Sequence, residues 1–325
     1  MPRMTGGDLV IRKHGRWLER LLVLEGEAMI VRVREGVGGE IVFAAEPLDP
    51  ALLEGPRAGS LRAAGEEGLA AGIGRMRFSL GVDDDLRDFY RTFRDDPLLG
   101  KTLGDSLHRR PLRRPVAWEA LLWAVTEQLI EYRRAARIQR QMIRRFGIRL
   151  ARDVPARRSG ARPKARGTRR PPGEPALATV PDPAAIAAAS PAELEACGLS
   201  ARRSIAMVKV AREVATGRVD PEDPGGDRRL LAIPEIGPWT LACLALRGRG
   251  EGDALLAGDL AQVKLVGYLK GLGRLAEVEE VEKFYEPYAP WRGLAGEYLA
   301  MAYGQVLHGP GNRARIRREA FRRAA

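Results

Sequence analysis

The stretch Leu230–Leu246, "LLAIPEIGPWTLACLAL", decides how the rest of the chain is read. Two apolar runs flank Pro234, Gly237 and Pro238. Leu230, Leu231 and Ile233 close one helix, and Pro234 ends it because its ring clashes with the preceding turn and it has no N–H. Gly237 supplies a position without Cβ, useful where backbone turns tightly or meets a ligand. Pro238 suits the first turn of a second helix, whose apolar stripe is Leu241, Leu244 and Ala245. The expectation is two helices joined by a short hairpin, with uncommitted amides at a helix N-terminus that form an anion site. An ordinary helical hairpin fits the same residues. Downstream, "GDLAQVK" from Gly258 sets Asp259 in apolar company, where a carboxylate is by default a helix N-cap.

Working outward, the chain has 325 residues, enough for more than one domain. It carries a formal net charge of +12, and only seven of its 54 basic residues are lysine. A surface of that sign favours phosphate-rich partners. The two cysteines, Cys197 and Cys243, are too few for a disulfide framework, an iron–sulfur cluster or a cysteine-rich zinc site. His14, His108 and His308 have no ligand spacing, so no metal site is expected. No apolar run reaches membrane-spanning length and no signal-peptide pattern opens the chain, so the expectation is a soluble, cytoplasmic protein that does not engage membranes.

Residues 1–82 read as a β-rich domain. "LVIRKHGRWLERLLVLEGEAMIVRVREG" contains β-branched runs, "IVRVR" alternates apolar with charged, and Gly36, Gly38 and Gly39 form a turn before "EIVFAAE". Residues 83–325 read as helical. "DDDLRDFYRTFRDDPLL" starts with acids, favourable at a helix N-terminus, and places Leu86, Phe89, Tyr90 and Phe93 on one face. "VAWEALLWAVTEQLIEYRRAARIQRQMIRRFG" is one long helix or a pair. Between 154 and 175, "PARRSGARPKARGTRRPPGEP" has seven basic residues and Gly/Pro punctuation, the pattern of a disordered basic loop. The fold class is α+β, mostly α.

"IPEIGPWTLACLAL" followed by "LLAGDLAQVKLVGYL" resembles the helix-hairpin-helix plus Gly/Pro–Asp signature of the base-excision DNA glycosylases. Within them it resembles the alkylation-repair branch, the 3-methyladenine DNA glycosylase II family. "FSLGVDDDLRDFYRTFRDDPLLGKTL", "VAWEALLWAVTEQLI", "GLSARRSIAMVKVAREVATGRVD" and "YAPWRGLAGEYLAMAYG" sit where that family has its equivalents. About 240 residues are covered, and the N-terminal sheet matches the family's TATA-box-binding-protein-like domain more weakly.

The resemblance implies a two-lobed helical core with Asp259 as the catalytic carboxylate. It implies Trp239, twenty residues earlier, as a base-pocket wall with Tyr298 near it, and Gln128 and Leu129 as the wedge that enters the duplex. The hairpin residues Ile236, Gly237 and Thr240 would bind a phosphate. It implies no cofactor, although a monovalent cation at the hairpin is compatible with it. The partner implied is damaged double-stranded DNA, bound by a monomer associated with the nucleoid. Three departures stand out: Glu235 replaces the first hairpin glycine, Cys243 stands at a pocket aromatic position, and Ala300 stands where a tryptophan is usual.

The expected activity is hydrolysis of the N-glycosidic bond of alkylated purines such as 3-methyladenine and 7-methylguanine, without strand nicking. Strand-nicking members carry a lysine where this chain has Trp239. The alternatives are a glycosylase for another damaged base and a non-catalytic hairpin protein that only binds DNA.

Overall fold

The computed structural model describes residues 9–105, 110–111, 113–128, 130, 132–151 and 177–308. Leu129 and the basic loop at 154–175 lie outside the described residues. In chain order come strands β1 (Ile11–His14), β2 (Trp17–Leu24), β3 (Glu27–Glu35), β4 (Ile41–Pro47), β5 (Leu53–Glu54) and β6 (Arg62–Ala63). Helices α1 (Glu66–Leu80), α2 (Arg87–Phe93), α3 (Leu99–Asp105), α4 (Ala117–Glu127) and α5 (Tyr132–Phe146) follow, then strand β7 (Arg149–Leu150). The remainder is helical: α6 (Pro183–Ala188), α7 (Pro191–Ala196), α8 (Ala201–Ala215), α9 (Asp227–Leu231), α10 (Pro238–Cys243), α11 (Leu260–Leu269), α12 (Val278–Tyr285) and α13 (Arg292–His308).

These elements fall into two compact units, Met1–Phe78 with Val125–Asp220, and Ser79–Ala124 with Pro221–Ala325. In the first, β1 to β4 form an antiparallel meander, and β6 adds in parallel beside β3. The turn between β2 and β3 has positive φ at both Glu25 (50°) and Gly26 (79°), the primed geometry that matches strand twist. The register sets Arg12 opposite Glu19 and Glu19 opposite Arg32. The buried Glu19 carboxylate therefore accepts from both guanidinium groups, at 2.6 Å and 2.8 Å. The apolar face of this sheet buries Leu21, Ala28 and Ile30 against Ile148, Leu150 and Leu177. In the same unit Ser190 and Glu193 form a reciprocal cap at the start of α7.

In the second unit α2 buries Phe89 and Phe93, with Leu86 and Tyr90 packed at the edge, the face its spacing predicts. They meet Leu265 and Val266 of α11, Val281 and Tyr285 of α12, and Leu299 of α13. Trp291 packs edge-on to Phe89 and Phe93, a structural position. The long apolar segment resolves into the pair α4 and α5. Trp123 is buried on α4 and donates from Nε1 to Glu119 at 3.3 Å. Both cysteines are buried free thiols. Among the described residues no helix is long and apolar enough to cross a membrane.

Candidate active site on the helical hairpin

Residues 227–259 of the second unit form one continuous device. α9 stops at Leu231, and the chain turns through Pro234 and Glu235 before α10 opens at Pro238. α10 does not end as an α-helix; Leu244–Arg249 continues with π-helical pairing and stops at Gly250, φ 78°. That widened turn sets Gly248 flat against α4, where an added Cβ would meet Ala117 Cα and Ala120 Cβ at 3.1 Å. It also aims Arg249 back at α9. Arg249 bonds Asp227 through both terminal nitrogens, at 3.0 Å and 2.6 Å, and donates from Nε to Pro221 O at 2.8 Å. The two arms of the hairpin are thus clamped by a guanidinium that is 5% exposed.

At the turn the structure separates the three expected phosphate-binding residues. Ile236 and Thr240 are buried, and their amides already donate to Ile233 O and Gly237 O, each at 3.0 Å. Among the described residues the uncommitted amides are those of Gly237 and Trp239. Two donors flanking Pro238 at the opening of α10 suit an anion. The Trp239 amide was not legible from sequence, because which N–H groups stay free depends on the turn's own pairing.

The backbone also sorts the hairpin's glycine question. Glu235 has φ 73°, the left-handed region that costs a residue with a Cβ about 1–2 kcal/mol. Gly237, by contrast, is extended (φ −122°, ψ −179°), and a Cβ there would meet no atom within 4 Å. Nothing inside the protein requires glycine at 237. What its missing side chain leaves open is access to the turn from outside.

Trp239 is half-buried against Ala124, Cys243, Leu246 and Leu256. Cys243, 1% exposed, belongs to the same apolar cluster. The indole N–H is buried and has no partner among the described residues. Leu256 links this cluster to the carboxylate, since its carbonyl accepts the Asp259 amide at 2.9 Å. Asp259 caps α11 as its setting predicts: one oxygen accepts from Ala261 N–H at 2.8 Å, and Asp259 O accepts from Val263 N–H at 2.9 Å. Its second carboxylate oxygen has no partner among the described residues. The Asp259 side chain is half-buried, and Leu260 beside it is 56% exposed.

The loop between Gly250 and Asp259 is pinned from α13. Arg292 pairs with Asp253 through Nε at 2.8 Å and through Nη2, and Leu294 N–H donates to Gly252 O at 2.8 Å. The Arg292 guanidinium holds the Asp253 carboxyl below the usual carboxylate range, so this pin gives way only as pH falls through that lowered value. One turn into α11, buried Gln262 donates to Gly296 O at 3.1 Å and accepts from Tyr285 OH at 2.7 Å. No spacing in the sequence singles out Gln262.

Tyr298 is placed away from any exposed wall. It is fully buried on α13 and packs on Phe89, with its hydroxyl 2.9 Å from that of Tyr90. Ala300 is half-buried on the same helix. Gln128 belongs to the first unit, where its carbonyl accepts from Arg203 Nη1 at 3.0 Å. No group of three or more His, Cys, Asp or Glu that could hold a metal ion occurs among the described residues.

Two substitutions test the turn. Glu235→Gly should raise stability by about 0.5–1 kcal/mol, the relief of left-handed strain less the extra chain entropy of glycine, or roughly 1–2 °C in melting temperature. Gly237→Ala should leave melting unchanged or slightly raised, because its extended φ suits alanine. Destabilisation of either variant by more than about 1 kcal/mol would contradict this backbone.

No family model matches the chain. The chain is 24% identical over 224 residues to a DNA-3-methyladenine glycosylase of Bacillus subtilis, covering 67% of each protein. It is 29% identical over 120 residues to DNA-3-methyladenine glycosylase 2 of Escherichia coli, covering 35% of this chain and 40% of that one. In structure it superposes on the 3-methyladenine DNA-glycosylase of Archaeoglobus fulgidus with a TM-score of 0.70 at 19% identity, over 93% of this chain and 91% of the other. The 8-oxoguanine glycosylase/lyase of Clostridium acetobutylicum follows the same fold with a TM-score of 0.60 at 14% identity, over 90% and 88%. The chain is thus similar in sequence to DNA-3-methyladenine glycosylases and shares the fold of the Archaeoglobus fulgidus enzyme.

Proposed function

We propose that this protein is a monofunctional DNA glycosylase that hydrolyses the N-glycosidic bond of alkylated purines in duplex DNA. The observation that carries the reading is Asp259: a half-buried carboxylate with its main chain locked, one oxygen anchored to a helix N-terminus and the other uncommitted. Departure of a purine leaves positive charge on the sugar, and a fixed carboxylate stabilises that oxocarbenium-like state without reorganising. The activity named for the Bacillus subtilis and Escherichia coli relatives supports the same reading.

The other parts take their roles from their chemistry. Gly237 and Trp239 amides would hold a backbone phosphate on the hairpin. A base taken out of the stack needs a flat face, and the half-buried Trp239 indole offers one. Gln128, on a turn held by Arg203, keeps the duplex-wedge role that the resemblance implies. The reading requires no resident cofactor.

Selectivity for alkylated purines follows from what surrounds the carboxylate. A neutral purine leaves poorly unless an acid protonates it. The two acids of the preceding loop face arginines, Asp253 against Arg292 and Glu251 at 3.8 Å from Arg249. A purine methylated at N3 or N7 already carries positive charge and departs as a neutral molecule. An indole face favours that cation by roughly 1–2 kcal/mol.

Asp259→Asn is the direct test, because asparagine caps a helix as well as aspartate and the fold is kept. A carboxylate about 4 Å from a developing cation contributes roughly 4 kcal/mol at an effective dielectric of 20, so excision should fall about a thousandfold while DNA binding persists. Near-normal excision by the variant would remove Asp259 from the chemistry. Borohydride added to the wild-type reaction should trap no protein–DNA adduct; a strong trapped band would assign a lyase. Gly237→Ala should weaken binding to duplex DNA several-fold with its melting temperature kept, and unweakened binding would place the phosphate elsewhere.

A further inference from the structure

α5 carries six arginines and no acid: "YRRAARIQRQMIRRF". At 100° per residue Arg133, Arg137, Arg140 and Arg144 fall within about 60° of one another on the helix surface. The opposite side buries Ala135, Ile138, Met142 and Phe146 in the protein. Arg133, Arg137 and Arg144 are exposed and Arg140 half-exposed. None of the four side chains makes an ion pair or hydrogen bond with any described residue. Several other arginines of the same unit are engaged, Arg12 and Arg32 with Glu19 and Arg145 with Glu193 at 2.8 Å, whereas exposed Arg16 and Arg134 likewise bond no described residue.

Like charges three and four positions apart on a helix repel, and no acid is interleaved to offset them. A solvated face ordinarily mixes signs. This one keeps a single sign over about 16 Å of helix, against roughly one phosphate charge per 1.7 Å of duplex axis. The middle of α5 is tied to the end of α4, next to the turn that bears Gln128. Gln139 of α5 donates to Glu127 at 3.0 Å, and Arg203 bonds the carbonyls of Thr126 and Gln128. An anionic bilayer fits less well, since a membrane-surface helix inserts its apolar face and here that face is in the protein core.

We infer that the Arg133–Arg137–Arg140–Arg144 stripe of α5 is a second, sequence-independent phosphate-binding surface for duplex DNA, separate from the hairpin. It rests on the reading of the chain as a duplex-DNA glycosylase and adds the surface that carries non-specific affinity. Such a surface suits a hairpin whose turn bears the negative charge of Glu235.

The test is the salt dependence of binding to an undamaged duplex, measured with the full chain and with R133Q/R137Q/R140Q/R144Q. Each phosphate neutralised by the protein adds about 0.9 to the slope of log Kobs against log salt, so a variant that neutralises four fewer should show a slope flatter by about 3.6. The matching Arg→Lys variant should keep most of the wild-type slope. A slope unchanged within about 0.5, in a variant that melts at or above the wild-type temperature, overturns the inference. So does retention of both protein forms on anionic phospholipid vesicles with no change in the DNA slope. Should the quadruple variant fail to fold, the four single Arg→Gln variants, each expected to flatten the slope by about 0.9, decide instead. Failure of the wild-type protein to excise any alkylated purine would reject the proposed activity, whereas the slope tests the stripe by itself.

Discussion

The Arg249 guanidinium holds the candidate site in register. It reaches Asp227 and the carbonyls of Pro221 and Asp223 from the last residue of the π-helical turn. That single side chain sets the angle between the arms of the hairpin, and so sets where the Gly237 and Trp239 amides point. A buried ion pair of this kind adds little net stability, because desolvation offsets the attraction, but removing one partner is costly. Its effect is to permit one arrangement of the arms. The π-helical stretch is what brings Arg249 round to α9, and Gly248 is the residue that lets this wider turn lie against α4.

From that clamp the site propagates along the chain. Leu246 and Leu256 pack with Trp239, the Leu256 carbonyl fixes the Asp259 amide, and Asp259 caps α11. Gln262 then ties α11 to Gly296 and Tyr285. The carboxylate is therefore held by main-chain pairing on both sides, which is the preorganisation that electrostatic catalysis needs. The interior around α13 is aromatic and closed, and Tyr298 belongs to it. Burial and the Tyr90 contact push the Tyr298 hydroxyl well above its ordinary range, as expected of a ring seated in a core.

Much of this was legible in the sequence for physical reasons. Period-two alternation marked β3, and the 3.6-residue spacing of Phe89 and Phe93 marked the buried face of α2. Proline and glycine placed the hairpin, and the isolated acid in an apolar setting placed Asp259 at a helix start. What escaped were features set by distant partners or by the backbone's own geometry. The left-handed conformation at Glu235 cannot be read from a glutamate. The free amide of Trp239 emerges only once Ile236 and Thr240 have committed theirs. Gln262 looks like any polar helix residue until Gly296 and Tyr285 come to it. Nor does chain order reveal that the N-terminal sheet shares a unit with residues 125–220, because the pairing of β5 with β7 joins segments about 95 residues apart.

On the proposed reading, selectivity at this site rests on lesion charge, supplied by alkylation, replacing an acid that the described surroundings of Asp259 do not offer. The most direct measurement is single-turnover excision by the wild-type protein from duplexes that differ only in the target base. 3-Methyladenine and 7-methylguanine should be released at least tenfold faster than hypoxanthine or uracil, a margin matching the roughly 1–2 kcal/mol of cation preference with leaving-group charge added. Release of a neutral lesion as fast as the methylated purines would contradict the account.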